Sequence, residues 1–197
     1  MKKLILWLLC IVVCLQITAC NKKDSFNTTK SSETTTESDT SLSEDQQKAE
    51  LDEIYTEIDE ANELCNALTK LVYTYWGYNG YEAFFDHDIF LEKDKKFNTK
   101  KDYKSGSFYG DANTCYQYRD KIEKTMEDAH TRLKELTVSD NVQKYYDSVK
   151  KLYLNVDTYY SFASSFPEGY SKITYSQTFS NHQSEYDSLI SELKFDK

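Results

Sequence analysis

Four stretches of the chain carry apolar side chains at alternating steps of three and four residues, the spacing that keeps one helix face continuous. The first runs through Leu51, Ile54, Ile58, Ala61, Cys65, Leu68, Val72 and Tyr75. Leu64 and Leu71 widen it from a two-stranded seam to the broader face of a helix packed among several others. The second passes through Ala112, Cys115, Arg119, Ile122, Met126, Ala129, Leu133 and Leu136. The third takes Val142, Tyr145, Val149, Leu152, Val156, Tyr159, Ala163 and Phe166. A weaker fourth has Tyr175, Phe179, His182, Tyr186, Leu189 and Leu193. Ser43 with Gln46, and Thr174 with Gln177, read as capping boxes that open the first and fourth helices.

Val138-Ser139-Asp140 supplies a short capped turn between the second and third stretches, and Pro167-Glu168-Gly169 breaks the chain before the fourth. Short connections place successive helices antiparallel. With one Pro and five Gly in 197 residues, no strand-and-turn alternation competes. The expected fold is therefore all-α, an antiparallel up-down-up-down four-helix bundle over 44–197. Its irregular part is the first connection, from 77 to about 110, in which residues 81–91 predict a short extra helix. Connections of that length are uncommon and often functional.

Ahead of the helices, Met1-Lys2-Lys3 and the apolar run 4–15 read as a signal peptide, since the run falls short of the ~20 residues a membrane span needs. Ile17-Thr18-Ala19-Cys20 resembles a bacterial lipobox. That resemblance implies cleavage after residue 19, a diacylglyceryl thioether on Cys20, and a lipid anchor on the extracytoplasmic face of the cell membrane. From 21 to 43 the side chains are mostly Ser, Thr, Asp, Glu and Lys, with Phe26 and Leu42 the large apolar ones. Such a stretch buries too little surface to offset its ordering entropy, so 20–43 reads as a lipidated cysteine on a disordered tether. Its root-mean-square reach is about 25 Å.

The aromatic runs Tyr73-Thr74-Tyr75-Trp76, Tyr145-Tyr146 to Leu152-Tyr153, and Tyr175-Ser176-Gln177-Thr178-Phe179 are similar to those of helical lipoproteins from low-GC Gram-positive bacteria. That group carries no assigned activity. The resemblance implies location and fold, and transfers no catalytic residue.

The formal charge of −9 becomes more negative once Lys2 and Lys3 leave with the signal peptide. It argues against nucleic acid as a partner and against a general electrostatic hold on anionic lipid. Of five cysteines, Cys10 and Cys14 lie in the signal and Cys20 is the acylation candidate. Cys65 and Cys115 occupy inward positions on adjacent helices, where a disulfide staple and two free thiols are both open. Glu127 and His130 have the Glu-x-x-His spacing of di-iron bundles but no second such pair, and Asp86-His87-Asp88 are too close in sequence to converge on one ion. No metal and no cofactor are expected.

Three features remain. Arg119, Tyr159 and His182 fall in the half of the bundle remote from the anchor, as a polar core cluster that either pairs structurally or lines a small-molecule site. Trp76, Tyr78, Tyr81, Phe84 and Phe85 crowd the same end, where they either stack on a partner or tie down the long connection. Lys93, Lys95, Lys96, Lys100, Lys101 and Lys104 form a basic run suited either to anionic wall polymers or to plain solvation. With no catalytic motif recognisable, the expectation is a non-enzymatic envelope module. It would use this membrane-distal tip on a cell-wall polymer or another envelope protein; the alternative is a solute-binding module.

Overall fold

The computed structural model describes residues 42–97 and 106–196, which belong to one unit. They form α1 (Glu44–Thr74), a 3₁₀ turn (Tyr81–Phe84), α2 (His87–Phe97), α3 (Phe108–Glu135), α4 (Asp140–Ser164) and α5 (Lys172–Asp196). The fold is all-helical, with no strand among the described residues. The signal peptide, Cys20 and the tether as far as residue 41 lie outside the described residues, as do Lys100, Lys101 and Lys104. No described helix is long and apolar enough to cross a membrane.

Local chemistry sets the helix starts. Ser43 accepts from the Gln46 amide at 3.3 Å while Gln46 Oε1 accepts from the Ser43 amide at 2.9 Å, a reciprocal box that opens α1 as the sequence predicts. At α5 the box sits earlier than expected: Ser171 Oγ accepts from the Thr174 amide and Thr174 Oγ1 from the Ser171 amide, at 3.1 and 2.8 Å. Thr174 is thus the far partner of a box and not its first residue. The helix expected over 81–91 is divided, because Asp86 Oδ1 accepts from the amides of Asp88 and Ile89 and starts a fresh helix at His87. Ser107, bonded to the Gly110 amide at 3.1 Å, starts α3 inside what had read as connection. Gly77 and Gly80 turn the chain away from α1 at φ of 79° and 89°, conformations that L side chains rarely adopt.

Packing follows the stripes. All eight positions of the first stripe are buried, and so are Ala112 through Leu133 of the second and Val142 through Ala163 of the third. Phe166 departs from this pattern: α4 stops at Ser164, leaving Phe166 in the connection, about half exposed. α1 touches α3, α4 and α5. Pairing of Tyr75 with Asp111 and of Arg132 with Glu50 runs α3 antiparallel to α1. Tyr145 with Asp52 and Tyr159 with Asn66 run α4 parallel to it, and Tyr186 with Asp59 and Gln183 with Asn66 run α5 antiparallel.

These pairings include a ladder. Asp52, Asp59 and Asn66 stand one heptad apart along α1, and each accepts a hydrogen bond from a buried tyrosine: Tyr145, Tyr186 and Tyr159. A hydrogen bond to a charged group contributes about 1.5–3 kcal/mol, and a buried hydroxyl without its acceptor costs a similar amount. Elsewhere on α1, Glu50, Glu53 and Glu57 converge on Arg132 of α3 at 2.6, 2.8 and 2.7 Å. At the helix start, Gln47 donates to Leu42 O (2.8 Å) and accepts from the Ser139 amide (2.9 Å), so α1 is fastened to the α3–α4 turn.

Tyr186→Phe is expected to lower unfolding free energy by about 1–3 kcal/mol in urea titrations. In a double-mutant cycle with Asp59→Ala the two changes should be strongly non-additive. Simple additivity would remove the ladder from the account of register.

Candidate functional site

The long connection and the α4–α5 connection meet at one end of the molecule, where the aromatic density is greatest. Tyr75, last of the first stripe, donates to Asp111 Oδ2 at 2.8 Å, and Asp111 Oδ1 accepts from the Gly106 amide at 2.8 Å. This buried carboxylate therefore straps the start of α3 to the end of α1. The Tyr75 ring packs against Phe84 and Phe108 with centroids at 4.9 and 5.4 Å.

The 3₁₀ turn is then held from below by α3. Tyr116 donates its hydroxyl to Ala83 O, and Arg119 donates from Nη1 to Phe84 O. The guanidinium also lies 5.4 Å from the ring centroids of both Phe85 and Tyr116, which suits a buried cation with no ion-pair partner among the described residues. Among those residues its Nε and Nη2 have no hydrogen-bond partner either. Arg119 is therefore a clasp on the connection and does not bond to Tyr159 or His182.

Those two do meet. The His182 ring stacks on Tyr159 at 4.9 Å, while the Tyr159 hydroxyl donates to Asn66 (2.8 Å) and contacts Thr69 Oγ1 (3.2 Å). Burial pushes the His182 pKa down, favouring the neutral ring. Cys65 and Cys115 are buried free thiols, so no staple joins α1 to α3. Burial pushes both up to about 12, which keeps them protonated and unreactive; Arg119 beside Cys115 acts in the opposite direction and is outweighed. Among the described residues no three His, Cys, Asp or Glu side chains gather as metal ligands.

Of the predicted tip aromatics, Tyr81 and Phe84 are buried, and Trp76 and Phe85 are partly buried. Trp76 packs on Tyr175 at 5.1 Å, and Phe166 covers Tyr81 and Phe85 at 5.7 and 5.4 Å. They tie the connection down. Only Tyr78 stands clear, 61% exposed. Lys93, Lys95 and Lys96 lie in α2, with their side chains outside the described set.

Tyr73, in the first of the aromatic runs, is exposed at this end too, and Lys172 Nζ sits 4.3 Å over its ring. Sequence reasoning missed three other contributors, Phe166, Tyr170 and Ile173, which are exposed, Ile173 by 73%. The signal was present in Phe166, Tyr170 and Ile173, three large side chains flanking a Pro-Glu-Gly turn. Beside them a cleft of about 250 Å³ opens between α1 and α5, lined by Thr69, Lys70, Tyr73, Tyr175, Ser176 and Phe179, with Thr74 at its edge. Tyr175 is buried and lies against Thr69, whose own hydroxyl is committed to Cys65 O at 2.8 Å. The Tyr175 hydroxyl finds no partner of acceptable geometry.

No protein-family model, curated protein or solved structure matches the chain.

Burial, with a carboxylate partner at Tyr75, raises Tyr75 and Tyr116 to about 12, and Tyr145, Tyr159, Tyr175 and Tyr186 shift in the same direction. A raised pKa means that the folded chain holds its proton where the unfolded chain has released it. Stability from these groups is therefore full below the unfolded values, 9.0 for thiols and 10.0 for tyrosines, and declines as pH rises toward 12. Urea midpoints should fall steadily above about pH 9, with the tyrosinate absorbance of the buried rings appearing together with loss of helix. Complete conversion of all the tyrosines to tyrosinate near pH 10 in a still fully helical chain would contradict the burial described here.

Proposed function

We propose that the chain is a lipid-anchored extracytoplasmic envelope protein, an antiparallel up-down-up-down four-helix bundle on a tether, that makes contact through its Tyr75 end. The lipobox-like Ile17-Thr18-Ala19-Cys20 supplies the anchor, and residues 20–43 the reach. The observation that carries the reading is the concentration of exposed apolar side chains at one end: Tyr73, Tyr78, Phe166, Tyr170 and Ile173. Monomeric proteins seldom leave such a patch uncovered without using it. The side chains beneath it are packed ring on ring, so the patch rests on a rigid base and loses little entropy on binding.

The partner fitting such a surface is a wall polymer or another envelope protein, with the lysines between 93 and 104 adding charge complementarity toward an anionic one. A second reading, a solute-binding module, is favoured by the α1–α5 cleft, which the buried Tyr175 helps to line. A ligand there would raise the melting temperature by mass action.

Cys20→Ala is expected to release the protein from the membrane fraction or to leave it unprocessed; cleavage with normal retention sinks the anchor. Replacing Tyr78 and Ile173 by Ser should reduce retention on purified wall material, or cross-linking to envelope proteins, by tenfold or more in a chain that stays fully helical at the assay temperature. Replacing Lys93, Lys95, Lys96, Lys100, Lys101 and Lys104 by Gln should lower retention chiefly at low salt. Full retention by both sets of variants would overturn the tip as a contact surface.

A further inference from the structure

A second groove lies between α3 and α4, away from the Tyr75 end. His130, Leu133 and Lys134 share one face of α3 by their steps of three and four, and Tyr146, Lys150, Tyr153 and Leu154 share one face of α4. Together they line a space of about 280 Å³, close to the lower size limit of small-ligand sites.

Its construction is specific. Leu133 is buried. Tyr146 is pinned by its hydroxyl donating to Leu133 O at 2.9 Å, which leaves its ring as a wall. Tyr153 packs its ring against His130 at 5.6 Å, and Leu154 is 53% exposed, an apolar side chain on the helix body that nothing covers.

The groove carries two lysines and a histidine, and among the described residues no carboxylate lines it. Arg132 takes three glutamates, Lys121 pairs with Glu60 and Lys144 with Asp196, none of them in the groove. Among the described residues neither Lys134 nor Lys150 has an ion-pair partner, and His130 stands with them. Burial, with Asp157 as a lesser cause, raises the Tyr153 pKa, and Asp157 does not itself line the groove. In a chain of net charge −9, an unmatched cationic groove runs against the overall field. Two ammonium groups over an apolar, aromatic bed recognise an anion joined to a ring or short apolar body. Lysines, acting as point charges, suit phosphate where bidentate arginines would suit planar carboxylates.

We propose that the α3–α4 groove binds a phosphate ester, with the phosphate between Lys134 and Lys150 and the ester's organic part against Tyr146, Tyr153 and Leu154. A soluble phosphate ester and a phospholipid headgroup present the same chemistry. The groove lies toward the end at which α1 begins, where Glu44 accepts from Ser139 and Asn141 of the α3–α4 turn, so either source has access to it. The proposal is independent of the role of the Tyr75 end.

The test is titration calorimetry on the full chain with three soluble probes: glycerol, glycerol 3-phosphate, and short-chain phosphatidylglycerol below its micelle concentration. Both phosphate probes should bind, glycerol should not, and affinity should weaken as salt is raised. Tighter binding of the lipid identifies a headgroup site; equal or tighter binding of glycerol 3-phosphate identifies a soluble ester. Lys134→Gln with Lys150→Gln should weaken binding at least tenfold without changing the melting temperature, because both side chains are exposed. Lys124→Gln with Lys194→Gln should leave binding unchanged. Failure of both phosphate probes to bind at millimolar concentration, equal binding of glycerol, or wild-type affinity in the Lys134/Lys150 variant overturns the proposal.

Discussion

A tyrosine hydroxyl inside a helical core is costly without an acceptor, and three that have one, on Tyr145, Tyr159 and Tyr186, tie the helices to α1 in one register. α1 supplies the acceptors at Asp52, Asn66 and Asp59, one heptad apart. Apolar stripes alone would allow the helices to slide by a turn at little cost in buried area. Sliding here would orphan three hydroxyls and face two buried-edge carboxylates with hydrocarbon. Specificity thus comes from the polar edge of the seam, and the seam itself supplies the bulk of the stabilisation.

That division explains what could be read from the chain beforehand. The stripes were legible because burial repeats with the helix: all eight stripe positions of α1 are buried, with Leu64 and Leu71 beside them partly so, and most of those in α3 and α4. The Ser43 box was legible because a single Ser-x-x-Gln stood ahead of the stripe. At α5 two overlapping boxes competed, and only the paired bonds between Ser171 and Thr174 decide which one forms. Arg119 occupies a stripe position, but its partner is the Phe84 carbonyl, and a backbone acceptor leaves no trace in a sequence pattern. The ladder was hidden for a related reason. Three polar residues spaced by sevens beside a seam look like a solvated edge until the tyrosines opposite are placed.

The same logic separates the two ends. At the Tyr75 end, rings pack on rings, and the polar groups there serve the backbone: Asp111 holds Gly106, Tyr116 holds Ala83, Arg119 holds Phe84. Most of the candidate tip residues are the foundation, and the exposed surface draws on Tyr73 and Tyr78 together with Phe166, Tyr170 and Ile173 around the α4–α5 connection. At the opposite end the fastening is by charge and amide groups, through Arg132, Gln47 and Glu44. α5 is the lightest member, with Tyr175, Tyr186 and Leu193 its buried residues, and local opening will begin there.

The position of α1 at the centre of these contacts has a mechanical consequence. A pull applied through residue 42 arrives at a backbone carbonyl gripped by Gln47, which is itself held to the α3–α4 turn. Because α1 lies against α3, α4 and α5, tension along its axis loads all three interfaces in shear at the same moment. Peeling a single outer helix would break its contacts one after another, whereas withdrawing α1 must break the Arg132 clamp and the tyrosine ladder together. A load arriving at residue 42 would thus reach the other helices through α1 and be shared among all three of its interfaces.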